Sequence, residues 1–321
     1  MNDAAITSSI AEAPVEAVLR EELAQGDRVL GTVGPVLGHL LANRDNALFS
    51  DEIVSRVRGM ISDLARQMLV AQTEAGEAAD PRVNVERDRE QLADALLANG
   101  GLIAHCHALA QEWQLTAQLE TRSGIDPVLS PLLQALVASD DAPTASSAMA
   151  TLAAQARYVQ QQRRMELPLA ELPADHFHEA LATWVERVAP RDAPAAIEAA
   201  TRLRDTYDES ASRLGLLARL VHTMGAGALA ALSIGHAGSA IFLSALASAS
   251  GQDRALAVLA TNDRQLARLA LSLRAAGLKP QAIEEQVVYI HPDATLPDGF
   301  DALRADRARA LLASSPRSRA A

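Results

Sequence analysis

Residues able to do bond chemistry are sparse in this chain. His105-Cys106-His107 and His176-Phe177-His178 each place two imidazoles two residues apart. On a helix such neighbours point about 200° apart, so neither pair can chelate one ion; spacings of three or four are needed. The better set is Asp175, His178 and Glu179, which share roughly 100° of one helix face and could serve a metal ion or acid–base work. The same residues have a plainer use, in which Asp175 caps a helix opened after Pro173 and Glu179 complements its dipole. Cys106 has no identifiable base or oxyanion donor in the sequence, so it reads as an ordinary buried thiol between partly exposed histidines.

Gly225-Ala226-Gly227-Ala228-Leu229-Ala230 matches the glycine-rich dinucleotide fingerprint only formally. That chemistry needs a strand before the turn and an acid about 20 residues on. Here the preceding residues look helical, and small residues at a helix junction are the expectation. A phosphate-binding loop is absent, because the single lysine, Lys279, lies between Leu278 and Pro280. The chain also lacks Gly-x-Ser-x-Gly, Cys-x-x-Cys and His-Glu-x-x-His. A non-catalytic protein without a cofactor is therefore expected, with an enzyme built on Asp175, His178 and Glu179 as the alternative.

The elements that must position these residues read as helices. The 321 residues are 49% hydrophobic but only 3% aromatic, and formal net charge is −11. This is enough chain for sizeable cores. The acidic balance argues against nucleic acid as the main partner, since phosphate binding needs concentrated positive charge. The first 80 residues carry 13 acids against six arginines. Arg163-Arg164 and the later Arg304, Arg307, Arg309, Arg317 and Arg319 have no interleaved aromatics, so a solvated face and a loose tail are expected.

Pro14 can open a helix closed at Gly26, and Ser50 can cap the next. Ile53, Val57, Met60, Ile61, Leu64 and Met68 recur with the helical period, leaving the arginines between them to water. Residues 73–85 read as a linker. Arg87 to Asn99 and Leu102 to Ala117 form a helix pair split at Gly100-Gly101. Asp126-Pro127 and Ser130-Pro131 are rival starts for the following helix, and a polar break at Ser139 to Thr144 precedes a long helix ending near Arg163-Arg164. Phe177 to Val188 and Pro194 to Val221 read as further helices. Gly277-Leu278-Lys279-Pro280 is a helix stop, because glycine takes the left-handed conformation and proline prevents continuation. Val287-Val288-Tyr289-Ile290 continues a helical face with Ile283, so no strand is assigned.

Leu220 to Gln252 contains no formally charged residue, which is long enough to span a bilayer. Its glycines, serines, His222 and His236 favour short buried helices instead, so no stable membrane span is expected. The N-terminus has neither a basic region nor a long apolar run, and one cysteine cannot form an internal disulfide, so a cytoplasmic location is expected.

Two prolines within Leu167-Pro168 to Pro173 mark the expected boundary between an N-terminal helical domain, 1–166, and a C-terminal one, 174–313, with a tail at 314–321. Phe177-His-Glu-Ala180-Leu181-Ala182 and Phe242-Leu-Ser-Ala245-Leu246-Ala247 share one pattern, a faint internal echo. The whole predicts an all-α fold of stacked helix pairs, either a helical repeat or an irregular multi-helix bundle. The run from Ala228-Leu229 through Gly235, Phe242 to Ala247, Gly251, Leu266 and Leu269 to Arg274-Ala275-Ala276-Gly277-Leu278-Lys279-Pro280 resembles the C-terminal region of an uncharacterised alphaproteobacterial family of HEAT-like, all-helical proteins. Two departures are Lys279 before the proline and an N-terminal half without repeated proline-bounded units. The resemblance implies a helical repeat and assigns no functional residues. The expected role is a scaffold or adaptor that binds another protein, with Trp113, Tyr158 and Trp184 as the large amphipathic candidates for its surface, although packing inside is the favoured reading of each.

Overall fold

The computed structural model describes residues 14–42, 51–75 and 85–315, which form helices and turns with no strand. In chain order these are α1 (Pro14–Ala42), α2 (Asp51–Ala75), α3 (Val85–Leu96), α4 (Gly100–Ser123), α5 (Pro131–Val137), α6 (Ala142–Arg163) and α7 (Ala174–Arg187). They continue as α8 (Ala193–Thr206), α9 (Arg213–Thr223), α10 (Ile234–Ser250), α11 (Arg254–Leu259), α12 (Leu266–Ala275), α13 (Pro280–Ile290) and α14 (Ala305–Ser314). The chain is all-α, as its apolar periodicity requires.

The apolar faces collect into two cores. One holds the α2 stripe, Ile53 to Met68, with Leu92 of α3, Phe177 and Leu181 of α7, and Ala196 and Ala200 of α8. The other gathers α9 to α14 around Phe242, Leu246, Leu269 and Ile283. Leu167 to Leu172 does not separate them: Tyr158 before it and Phe177 and Trp184 after it share the first core, while Ala148 of the same α6 enters the second. The two echoing Phe-x-x-Ala-Leu-Ala segments fall in different cores, each with its phenylalanine buried.

Two long helices serve both cores. α4 gives Leu102, Cys106, Leu109 and Trp113 to the first and Ala108, Leu115 and Leu119 to the second. α1 contributes Val15, Leu19 and Leu23 to the second core and Leu37 to the first. It does not close at Gly26. There the Gln265 carboxamide packs so near that an added Cβ would lie 2.6 Å from Oε1, and Gln265 Nε2 donates to the Gly26 carbonyl at 2.8 Å. The missing side chain admits a neighbour instead of ending the helix.

Other boundaries follow local capping. Asn99 caps α4 by accepting from the Leu102 N–H, so Gly100 and Gly101 are its first turn and not a break. Ser130 caps α5, while Asp126 makes a turn by accepting from the Val128 and Leu129 N–H groups. The expected single helix from Pro194 to Val221 is two. Asp208 accepts from Ser210 N, and Ser212 from Gly215 N, giving the chain an exit and a second start between α8 and α9. At the end of α12, Leu278 N donates to Leu273 O and Gly277 N to Arg274 O, with Gly277 at φ 101°, which is the stop expected there. The Ser50 cap, residues 76–84 of the expected linker and residues 316–321 of the tail lie outside the described residues; 73–75 close α2 and Val85 opens α3.

Leu220 to Gln252 folds as the end of α9, a 3-10 segment Gly225–Leu232, and α10. Among the described residues no helix is long and apolar enough to cross a membrane. α10 is kinked at Gly238 (φ 70°, ψ 168°), a conformation that L side chains rarely adopt, and an added Cβ would sit 3.0 Å from Ser130 Cβ. Gly238→Ala is therefore expected to destabilise the fold by about 2–3 kcal/mol in urea unfolding. A loss below about 0.5 kcal/mol would show that the kink relaxes freely.

Candidate functional site: a groove along α4

The candidate catalytic set does not assemble. Asp175, His178 and Glu179 are exposed on α7, where Asp175 lies in the first turn and Pro173, not Asp175, occupies the cap position. His178 instead sits edge-on to Tyr207, which stacks on Phe177 at 4.0 Å. Among the described residues no three His, Cys, Asp or Glu side chains converge to hold a metal ion. The Gly225–Leu232 turn follows a helix, so the strand required for dinucleotide binding is missing.

The histidines beside Cys106 are buried, contrary to the expectation of partial exposure. Burial pushes the His105 pKa down to about 3, with the nearby His176 and Arg254 adding to it. Burial likewise lowers His107 to about 4 and pushes the Cys106 thiol up to about 12. A thiol held protonated in this way is inert at neutral pH.

Trp113, Tyr158 and Trp184 are also internal, at 8%, 5% and 0% exposure. None is a surface anchor. Trp113 carries the Arg56 guanidinium 5.0 Å from its ring centroid, and Arg56 Nη1 donates to Gln162 O at 2.7 Å, so this arginine of α2 does not face water. Tyr158 lies 3.7 Å beneath the Arg213 guanidinium and donates its hydroxyl to Leu109 O.

Between the two cores Glu112 of α4 is fully buried. Arg254 donates to both of its oxygens at 2.8 Å, and Arg213 contacts the same carboxylate. Arg213 Nε also donates to Gln155 Oε1 at 2.7 Å, and Arg254 Nε to Ser244 Oγ at 3.0 Å. Burial alone would raise the carboxyl pKa, but the two guanidiniums outweigh it and hold Glu112 ionised. A saturated, water-excluded carboxylate cannot act on a substrate. It ties α4 to α6, α9, α10 and α11.

This clamping fixes the outer face of α4. His107, Gln111, Gln114, Gln118 and Arg122 fall within about 80° of one side of that helix and run about 22 Å along it. They form the floor of two adjoining depressions of about 470 and 550 Å³ that share Gln111, Gln114, Asn262 and Asp263. At the His107 end one wall is α1, through Val29, Val33 and Val36, which line only the smaller depression. The other is Asn262 to Leu266, continued by Ile290 to Ala294.

A buried ion pair ties α1 to α12, and a partly buried one ties α1 to α14. Asp27 of α1 pairs with Arg268 of α12, and its second oxygen accepts from Ser315 Oγ at 2.7 Å. Arg307 of α14 grips Glu16. The groove mixes Arg122 and Arg264 with Asp263 and Asp293, so it has no dominant sign. Its amides each offer a donor and an acceptor.

Sequence reasoning passed over these residues. The signal present was the spacing of Gln111, Gln114 and Gln118, three polar side chains three and four apart on a helix otherwise rich in apolar residues. No protein-family model matches this chain, and neither a curated protein nor a solved structure does.

Proposed function

We propose that this protein is a non-catalytic helical scaffold that binds a segment of another protein in the groove along α4. One observation carries the reading: a trough about 22 Å long whose floor is a ladder of carboxamides, built on a helix clamped from behind by buried ion pairs. A polypeptide backbone presents alternating N–H and C=O groups, and glutamine and asparagine side chains can satisfy both. Val29, Val33 and Val36 supply an apolar wall for the segment's side chains. Such peptide sites take affinity from main-chain hydrogen bonds and specificity from side-chain contacts. The mixed charge favours a polypeptide over a phosphate-bearing ligand. The helical-repeat resemblance is compatible with this role, since stacked helices commonly present extended binding surfaces.

Filling the trough tests the reading. Gln114→Trp places a bulky ring on the floor, whereas Glu186→Trp alters an exposed position on α7. A partner recovered from the native host with wild-type protein and with Glu186→Trp should bind Gln114→Trp at least about tenfold more weakly, a loss of about 1.4 kcal/mol. Equal binding to all three would exclude the groove as its seat.

A further inference from the structure

A second depression, separate from the groove, lies where α2, α3 and α7 meet and measures about 490 Å³. Its apolar lining includes Leu69, Leu92, Val188 and the indole of Trp184. Two of its polar atoms are buried without a hydrogen-bond partner among the described residues: the donor Trp184 Nε1 and the acceptor Gln72 Oε1. Trp184 is fully buried, so its N–H is not satisfied by bulk water either. Buried polar atoms are paired in the great majority of native structures, and a complementary orphan donor and acceptor in one pocket point to a ligand carrying both functions.

On the α7 side the pocket's charges are Arg187 and the ion pair of Arg191 with Asp192, a net excess of one cation. Arg187, exposed at the last turn of α7, makes no ion pair with any described residue. Asp88 and Asp94 stand on the α3 side. We infer that this pocket binds a small zwitterion of peptide chemistry, a dipeptide with apolar side chains. Its carboxylate is held by the Arg187 guanidinium and the Trp184 N–H. Its ammonium and amide N–H groups meet Asp88, Asp94 and Gln72 Oε1, and its side chains lie on Leu69, Leu92 and Val188. The indole N–H has no solvent-accessible surface, so binding requires the side chains over it to move, and the Trp184 resonance reports that movement. A carboxylate suits that pair of donors because charge-assisted bonds to guanidinium are strong and directional.

The test uses the full chain and L-leucyl-L-leucine as the probe. The protein has two tryptophans, so its indole N–H groups give two resonances that Trp113→Phe assigns. On titration the Trp184 resonance should move saturably, while N-acetyl-leucyl-leucinamide, which lacks both charges, leaves it in place. Arg187→Ala changes an exposed side chain, should leave the fold intact, and should weaken the dipeptide at least about tenfold. The inference is overturned if the Trp184 resonance does not move up to about 10 mM dipeptide, if the neutral analogue binds equally, or if Arg187→Ala binds as wild type does. None of these outcomes bears on the groove of α4.

Discussion

Glu112→Ala should cost about 3–5 kcal/mol of folding stability, the largest loss expected of any single substitution, because it leaves the buried Arg213 guanidinium and the partly buried one of Arg254 without their shared anion. Arg213 is 3% exposed and Arg254 18%, so water can relieve the second only in part and the first hardly at all. The loss concerns the removal of one partner, not the net worth of the cluster. A triple replacement, Glu112→Leu with Arg213→Met and Arg254→Met, should therefore recover much of it. Urea unfolding followed by circular dichroism measures both. A loss below about 1 kcal/mol in Glu112→Ala would mean that the arginines find other partners or solvent.

Acidification should give the second large effect. His105 and His107 have native pKa values of about 3 and about 4 against an ordinary 6.5, so the native state binds fewer protons than the unfolded chain between these limits. Stability then rises with pH across that window and falls as pH drops below 6.5. From pH 7 to pH 5 the two imidazoles together should remove on the order of 3–4 kcal/mol. Glu112 acts lower: its carboxyl, held below 4.5, contributes stability above that value and loses it only on further acidification. Denaturant midpoints collected from pH 7 to pH 5 would reveal the slope, and His105→Gln should remove about one proton from it. A flat profile over this range would contradict the burial assigned to both rings.

Much of the fold was legible because helices announce themselves locally. The stripe from Ile53 to Met68 is wholly buried, and Gly277-Leu278-Lys279-Pro280 ends a helix as its chemistry demands. Errors arose where a distant part of the chain decided the outcome. Gly26 reads as a stop until the Gln265 carboxamide, far along the sequence, occupies its missing side chain's place. Arg56 reads as solvated until Trp113 and the Gln162 carbonyl cover it.

The candidate site was less legible for the same reason. Glu112 stands on the apolar side of α4 among Leu109, Leu115 and Leu119, and a carboxylate there must find buried cations. Nothing local shows that Arg213 and Arg254 supply them. The tryptophans are the chain's large amphipathic side chains, and their size is what places them in the cores. The groove is made of glutamines, whose surface and interior uses look alike until α1 and the Asn262 to Leu266 segment are seen beside them.

The most direct measurement is site-specific photo-crosslinking in the native host, with a benzophenone amino acid placed at Gln114, at Gln118 and, as a comparison, at Glu186. The reading of α4 as the seat of a partner's segment requires one protein to be joined at both groove positions through a single contiguous stretch of its sequence, and not joined at Glu186. Crosslinks at Glu186 alone, or none at either glutamine under conditions where the partner co-purifies, would contradict it.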